Sequence, residues 1–331
     1  MNPAVQRIKE QALGLIADFW KDPAVEFPSF ELKLGPKTIK IPNLLKPMAP
    51  GEVPPAPPPA TVAVASGTSP AVAVVPGAPV PRWHALPGEL AEKMWGEGYV
   101  LPAGDVILDL LIKPLALTKD KFVLDLTAGL GGPLRRLAAQ VHQLKGMESD
   151  AGVAARGMEL SVKAGKGKQA PIEAYDPTNF SMPAIYHCMI ARELFYRIAD
   201  KGKFFYSIAA GIKERGNVAF TDYIVEPESR AQPAIAAWQA QEKHAHPFGL
   251  VEMGEAWAKE GIKIVSSEDQ TALYRREIVG GINRFVSALR HAPPPDLETK
   301  QAILAEVELW IHRLAAIQQG MKFYCFHAVK T

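Results

Sequence analysis

The chain has 331 residues, of which 48% are hydrophobic and 22% are charged, so it is long enough to bury one large core. Its formal net charge of +2, with no segment rich in lysine and arginine, provides no field that would hold a phosphate backbone. Nucleic acid is therefore excluded as the expected partner.

The N-terminal sequence lacks the basic patch, apolar run and cleavage site of a signal peptide, and no segment reaches the roughly 20 apolar residues that span a bilayer. We therefore expect a cytoplasmic protein, either free or peripheral to a membrane or a larger complex. Cys188 and Cys325 stand in apolar runs without another cysteine or a histidine at metal-ligand spacing. They are expected to be buried free thiols, and no metal site is predicted.

Residues 1–40 form the first predicted unit, an arm that contains an amphipathic helix. From Pro3 to Trp20, apolar residues recur at helical spacing, namely Val5, Ile8, Ala12, Leu15, Ile16 and Phe19. Because such a helix is marginal alone in water, we expect it to dock. Its own main domain or a second copy is favoured, and a protein partner or a membrane surface is the alternative.

Residues 41–82 are predicted to be a linker. Proline, alanine and valine dominate this stretch, as in Pro54–Pro59. Proline donates no backbone hydrogen bond, so neither helix nor sheet is expected, and an extended polyproline conformation is favoured. The remaining residues, 83–331, form the predicted main domain.

In the main domain, segments typical of strands alternate with segments typical of helices, which predicts a mostly parallel sheet covered on both faces. The first clear strand, Lys121–Leu126, runs into a loop with glycine at 129, 131 and 132, and a helix follows from about Pro133. Glycines allow the backbone of this loop to approach a ligand at the carboxyl end of the strand.

A carboxylate follows the next predicted strand, His142–Met147. This residue, Glu148, lies about twenty residues beyond the glycine loop, where an acid can accept hydrogen bonds from ribose hydroxyls. A glycine turn alone also occurs for packing reasons. Together with Asp125 before the loop, however, Glu148 indicates a cofactor that contains a nucleoside.

The segment Val123–Gly132, VLDLTAGLGG, resembles the D-x-G-x-G-x-G signature of class I S-adenosylmethionine (SAM) methyltransferases. The resemblance implies a Rossmann-like α/β fold with a seven-stranded, mostly parallel sheet and SAM as the cofactor. Thr127 replaces the first glycine and is placed where it would crowd the methionine part of SAM. The implied cofactor-binding residues are Tyr99, Asp125, Thr127, Ala128, Gly129, Gly131, Glu148, Ser149, Asp176, Pro177 and Arg192.

The remaining elements agree with the strand order of this fold. The resemblance assigns Asp176 to the adenine amino group. A helix is expected from about Lys201 to Lys213. The predicted strands are Ile172–Asp176, Ala184–Ile190, Asn217–Ile224, Lys263–Ser267 and Lys322–Val329.

Short segments from about Trp83 to Thr331 resemble phosphoethanolamine methyltransferases and related small-molecule methyltransferases. These segments are Met94–Tyr99, Arg192–Glu193, Thr221–Tyr223 and Gly320–Tyr324. In that family the segment that ends at Tyr99 folds over the cofactor. The family also uses a Tyr and His dyad and holds the substrate phosphate with tyrosines and basic residues.

The dyad positions fall on Trp83 and Arg197, neither of which is a base at neutral pH. Tyr223, Lys243 and Arg313 fall where phosphate ligands would be. We therefore predict Trp83, Arg197, Lys243 and Arg313 as substrate-binding residues. Because Gln239 and Ala245 occupy expected tyrosine positions, phosphoethanolamine itself is not favoured.

Glu193 and Tyr223 are the candidate catalytic residues. Glu193 would orient an amine or accept a proton, and the alternative is a local salt bridge. Tyr223 lies at the end of the fifth predicted strand and points toward the crevice where such folds bind ligands, and the alternative is a half-buried aromatic residue whose hydroxyl is satisfied.

Between the last two strands lies a predicted helical insertion at about 270–319, interrupted by prolines 293–295. Its apolar stripe is suited to roof a pocket, to pack in the core or to contact a partner. Our leading hypothesis is SAM-dependent methyl transfer to a small-molecule or lipid-like acceptor. The alternative is a catalytically degenerate scaffold or assembly subunit that acts through the N-terminal arm, with a protein partner or a second copy.

Overall fold

The computed structural model describes residues 30–34, 37–41, 83–243 and 245–331. Near the N-terminus, β1 (Phe30–Leu34) and β2 (Lys37–Ile41) pair as an antiparallel hairpin. This part of the predicted arm is therefore extended and not helical. The predicted helix of Pro3–Trp20 lies outside the described residues, and so does the linker beyond residue 41.

The main domain contains a seven-stranded sheet in the order β5-β4-β3-β6-β7-β9-β8. Neighbouring strands from β5 to β7 are parallel, whereas β9 runs antiparallel to both β7 and β8. The predicted seven-stranded, mostly parallel fold is confirmed. The strands are β3 (Phe122–Asp125), β4 (Gln143–Glu148), β5 (Ile172–Ala174), β6 (Tyr186–Arg192), β7 (Ile212–Ile224), β8 (Ile262–Asp269) and β9 (Lys322–Lys330).

Strand β7 begins five residues earlier than the predicted start at Asn217, and the helix before it ends two residues earlier than predicted. A bulge accounts for this difference. Ile212 pairs with Tyr186 while Asn217 already pairs with Cys188, so the residues between them loop out of register. Arg215 adopts a positive φ of 60° within this bulge.

Nine α-helices are described in residues 83–331. Several begin at an aspartate that accepts hydrogen bonds from the first free backbone amides, as Asp150 does before α4 and Asp296 before α9. They are α1 (Glu89–Trp95), α2 (Gly104–Ile112), α3 (Gly132–Leu137), α4 (Ala151–Lys163), α5 (Lys201–Gly211), α6 (Pro233–Glu242), α7 (Leu250–Lys259), α8 (Thr271–His291) and α9 (Leu297–Gln318).

Each face of the sheet buries its own hydrophobic core. One core contains Phe205, which stacks on Trp257 with ring centroids 4.0 Å apart. The other core extends to the insertion formed by α8 and α9, where Trp310 packs edge-on against Trp95. The insertion is thereby held over the carboxyl ends of the parallel strands. Among the described residues, none of the helices is both long and apolar enough to cross a bilayer.

Candidate functional site

The glycine loop between β3 and α3 lies at the carboxyl edge of the sheet. Gly129 and Gly131 have φ angles of 54° and 80°, a backbone conformation that glycine adopts without strain. A Cβ atom on Gly129 would lie 2.8 Å from Cγ2 of Val100. The loop therefore depends on glycine both for its turn and for its close packing against the segment 98–104.

Glu148, the last residue of β4, contacts this loop directly. Its Oε2 accepts a hydrogen bond from the Gly129 amide at 3.0 Å, and its Oε1 accepts from the Asp150 amide at 3.1 Å and the Ser149 hydroxyl at 3.2 Å. A carboxylate offers about four acceptor positions, so Glu148 retains capacity for a ligand. The structure thus brings together the loop and the acid that the sequence predicted to share a nucleoside.

Asp176 stands two residues beyond β5 and is exposed. Its Oδ1 accepts from the amide and the hydroxyl of Thr178, each at 2.8 Å. The bond from the Thr178 hydroxyl, followed by the one from its amide, lowers the pKa of Asp176, so the carboxylate is ionised at neutral pH. Pro177 continues this turn and lies at the rim of a cavity described below.

Arg192, the last residue of β6, contacts both the glycine loop and Asp125 of the interior strand β3. Its Nη2 lies 2.7 Å from Oδ2 of the fully buried Asp125 and also donates to the carbonyl of Thr127. The Arg192 amide donates to the Thr127 hydroxyl at 2.9 Å. Thr127, which replaces a glycine of the signature, therefore supplies an acceptor that fixes Arg192.

A first cavity lies between this loop and the segment 98–104. Its walls include Thr127, Arg192, Glu193 and Thr221, whose hydroxyl is buried without a hydrogen-bond partner in the described part of the chain. The cavity measures about 20 Å³, which is room for about one water molecule. The polar groups around it suit an adenosyl cofactor, but its methionine end needs more space than the cavity offers.

The segment 98–104 closes the first cavity. The Gly132 amide donates to the Gly98 carbonyl at 2.9 Å, and the Gly98 amide donates to Glu92 Oε1 at 2.7 Å. Tyr99 lines the cavity, and its hydroxyl donates to Asp105. These bonds hold the segment against the glycine loop.

A buried network of charges lies next to the first cavity. Arg313 of α9 donates from Nη1 to Glu193 Oε2 at 2.8 Å and from Nε to Glu242 Oε1 at 2.6 Å, and its Nη2 donates to the Tyr196 hydroxyl at 2.7 Å. The other oxygen of Glu193 accepts from the Tyr274 hydroxyl. The side chains of Glu193 and Arg313 are each 1% exposed.

Burial raises the pKa values of the two acids of this network, whereas the positive charge of Arg313 lowers them. Desolvation raises the pKa of Glu193 above its ordinary value, although Arg313 opposes this effect. Burial also acts to raise the pKa of Glu242, but the charge of Arg313 and its hydrogen bonds outweigh it and lower the pKa to about 2. Glu242 is therefore ionised at neutral pH.

A second, larger cavity of about 820 Å³ begins at Pro177 and Thr178 and extends beneath α9. Arg197, Glu242 and Arg313 lie in its walls. Glu193 lines the first cavity and Arg313 the second, so the ion pair between them separates the two spaces.

The predicted substrate residues fall into two groups. Arg197 and Arg313 line the second cavity, and the buried Tyr223 packs beneath them with its ring centroid 5.4 Å from the Arg313 guanidinium carbon. Trp83 instead packs against Phe285 in the core, and Lys243 is exposed at the end of α6. Neither of these two residues is among those that line the two cavities.

Sequence reasoning missed three members of the network, Tyr196, Glu242 and Tyr274. Glu242 also accepts from the indole of Trp238 at 2.7 Å, one helical turn earlier on α6. The spacing of Trp238 and Glu242 is a local signal for this pair. No local signal marks Tyr196, because apart from its neighbour Arg197 the partners of its hydroxyl come from α6 and α9.

No protein-family model and no curated protein matches the sequence. Solved structures do match. Phosphoethanolamine N-methyltransferase 2 of Haemonchus contortus, in complex with phosphomonomethylethanolamine and S-adenosylhomocysteine, aligns with a TM-score of 0.63 and 20% identity over 73% of this chain. The alignment covers 56% of that protein, so this chain spans little more than half of its length.

Two further structures show how varied the activities on this fold are. The 4+2 cyclase SpnF aligns with a TM-score of 0.58 and 16% identity over 73% of this chain and 91% of its own. Geranyl diphosphate C-methyltransferase of Streptomyces coelicolor aligns with a TM-score of 0.53 and 12% identity, covering 69% and 78%. At such identities the likeness concerns the fold. The described chain therefore has the fold of the SAM-dependent methyltransferases of known structure.

Proposed function

We propose that this protein binds SAM and transfers its methyl group to a small-molecule or lipid-like acceptor. The observation that carries the proposal is the hydrogen bond of 3.0 Å between the Gly129 amide and Glu148. It joins the glycine loop and the ribose acid at the carboxyl edge of the sheet, where open α/β sheets bind their ligands. Asp176 follows the neighbouring strand, as an adenine ligand requires.

Each polar residue of the loop region has a role in this proposal. Glu148 would accept from a ribose hydroxyl with its remaining acceptor position, and Asp176 would accept from the adenine amino group. Nη1 of Arg192 donates no hydrogen bond within the described residues and would be available to the carboxylate of the methionine part. Tyr99 and the backbone of Ala128 and Gly131 would hold the same part. When bound, SAM supplies an electrophilic methyl group on a sulfonium.

The cofactor requires the segment 98–104 to move outward, because the first cavity holds about one water molecule. Few hydrogen bonds hold the segment closed in the described structure, and they lie near glycines, whose backbone rotates easily. Only a short stretch of chain would therefore move. Closure over the cofactor then excludes water from the site, which favours methyl transfer.

Glu193 and Tyr223 form the acceptor side of the site. Glu193 lines the first cavity and pairs with Arg313, which lines the second, so the ion pair would have to open for an acceptor in the second cavity to reach the methyl group beside this carboxylate. In-line displacement at a sulfonium depends mainly on alignment and proximity, and Glu193 would orient the acceptor atom. Tyr223 supports the guanidinium of Arg313 from below.

Calorimetric titration with SAM and with S-adenosylhomocysteine tests the proposal. Both ligands should bind the wild-type protein, and Glu148→Ala should weaken binding by about 1–3 kcal/mol, because the charge-assisted hydrogen bond to the ribose is lost. Glu159→Ala, an exposed acid on α4, is the matched control and should bind as the wild type does. Absence of binding of both ligands to the wild type at high micromolar concentration would contradict the proposal.

A further inference from the structure

Two cationic side chains in the wall of the second cavity, Arg197 and Lys203, have hydrogen-bond donors without an acceptor in the described part of the chain. Arg197 is exposed and donates from Nε to the Tyr196 hydroxyl at 2.8 Å, which fixes the plane of its guanidinium. Its two terminal amino groups donate no hydrogen bond within residues 83–243 and 245–331. Lys203 also lines the cavity, and its amino group donates one hydrogen bond to the Thr178 carbonyl at 2.9 Å. A lysine has two further donors.

Of the two carboxylates that line the same cavity, Glu242 is fully engaged, whereas Asp200 keeps Oδ2 without a hydrogen bond in the described part of the chain. Glu242 accepts four hydrogen bonds, from Trp238, Tyr196 and twice from Arg313, which fills the acceptor positions of a carboxylate. Asp200 uses Oδ1 to cap α5. Free donors therefore outnumber free acceptors in the cavity, and a ligand group rich in acceptors complements it.

Most of the remaining wall is apolar, although Thr178, Ser207 and His246 also line it. Phe180 and Phe204 pack together with ring centroids 5.2 Å apart, and Ile198 and Leu309 line the cavity with them. A volume of about 820 Å³ lies in the range of pockets that enclose drug-sized molecules. A molecule of only a few heavy atoms would leave most of this apolar surface in contact with water.

We infer that the acceptor is an anion attached to an apolar body, whose charged group binds to Arg197 and Lys203 and whose body lies against Phe180, Phe204 and Leu309. The inference rests on the proposed methyl transfer and names the class of acceptor. Arg197 offers two parallel donors, the geometry that phosphate and carboxylate oxygens match. Lys203 adds a point charge on the same side of the cavity.

Binding of octyl phosphate below its micelle concentration tests the inference, with octanol, inorganic phosphate and octanoate as comparison probes. Octyl phosphate should bind at least about tenfold more tightly than octanol and than inorganic phosphate. Octanoate distinguishes a carboxylate source of the anion from a phosphate source, and binding of either anion above octanol supports the class. Equal binding of octyl phosphate and octanol, or of octyl phosphate and inorganic phosphate, would overturn it.

The residues are tested by Arg197→Gln and Lys203→Gln, each of which should weaken octyl phosphate binding by about tenfold. Arg275→Gln on α8 and Lys259→Gln on α7 remove equally exposed charges elsewhere and should have no effect. If Arg197→Gln disturbs Tyr196, Lys203→Gln still tests the site. Unchanged binding in Lys203→Gln would refute the assignment.

The same preparations are titrated with SAM, so that the two proposals fail separately. Binding of SAM without binding of octyl phosphate or octanoate refutes the acceptor class alone. Binding of octyl phosphate without binding of SAM refutes the proposed methyl transfer and, with it, the identification of the bound anion as an acceptor.

Discussion

Glu193 and Arg313, which are 120 residues apart in the chain, form a buried ion pair with 2.8 Å between Oε2 and Nη1. The pair stands between the small cavity at the glycine loop and the large cavity beneath α9. Arg313 belongs to α9 of the insertion, and Glu193 directly follows β6 of the sheet. The ion pair therefore fixes the insertion to the residues around the first cavity.

Replacing Arg313 by methionine should destabilise the protein by about 3–5 kcal/mol, because Glu193 and Glu242 would lose the buried cation that pairs directly with both of them. Chemical denaturation measures the change in unfolding free energy. Arg275→Met removes an exposed arginine from α8 and should change stability by less than about 0.5 kcal/mol. A similar small effect of Arg313→Met would show that the network contributes little to the fold.

The ionisation of Glu242 should make the free energy of unfolding depend on pH in the acidic range. An acid whose pKa is lowered by folding stabilises the protein above its unfolded pKa, near 4.5, and this contribution is lost as the pH falls toward about 2. Glu242→Gln should therefore cost about 3 kcal/mol at pH 7 and progressively less below pH 4.5. Unfolding free energies of both proteins across this range are the measurement. A cost that stays constant down to pH 2 would argue against the lowered pKa.

Asp222 should affect stability in the opposite direction to Glu242, because its pKa is raised by folding. It is fully buried and makes no side-chain hydrogen bond of normal geometry in the described structure, and burial raises its pKa to about 8 even though Lys201 lies nearby. An acid whose pKa is raised by folding destabilises the protein progressively from its unfolded pKa, near 3.8, up to about 8.

Asp222→Asn should accordingly stabilise the protein by about 1–3 kcal/mol at pH 8 and by much less at pH 4. Thermal or denaturant unfolding at the two pH values checks this. A variant that is less stable than the wild type at pH 8 would show that the ionised carboxylate has a favourable partner.

Gly98→Ala should loosen the segment that closes the first cavity. Gly98 has a φ of 80°, and a Cβ there would lie 2.8 Å from Cα of Gly132. Left-handed strain of about 1–2 kcal/mol corresponds to roughly 5- to 30-fold faster amide exchange at the contact between Gly98 and Gly132. Hydrogen exchange of peptides that cover residues 96–104 and 129–134 measures this effect.

Gly165→Ala is the control for this experiment. It introduces a residue at a φ of 69° with no atom within 4 Å of its Cβ, and it lies after α4, away from the segment. Exchange at Gly98 should not change in this variant. If Gly98→Ala leaves exchange unchanged as well, closure does not depend on the glycine contact.

The elements of the sheet were predictable because their signals are local. The apolar run before Asp125, the glycines that follow it and the acid at Glu148 stand within one stretch of chain, and the structure places them together as that order requires. The bulge at the start of β7 was missed, because a positive φ at Arg215 leaves no mark in the pattern of apolar residues.

Periodicity and turn residues act over a few positions, so the strands, the glycine loop and the acids that follow the strands could be predicted from the sequence, whereas the order of the strands in the sheet was implied by the resemblance to SAM methyltransferases. Three features could not be predicted this way: Arg313 pairs with Glu193 and Glu242, Trp83 packs in the core and lines neither cavity, and the segment 98–104 closes the first cavity. These contacts depend on packing between distant elements and on the desolvation of charges, which local spacing does not specify.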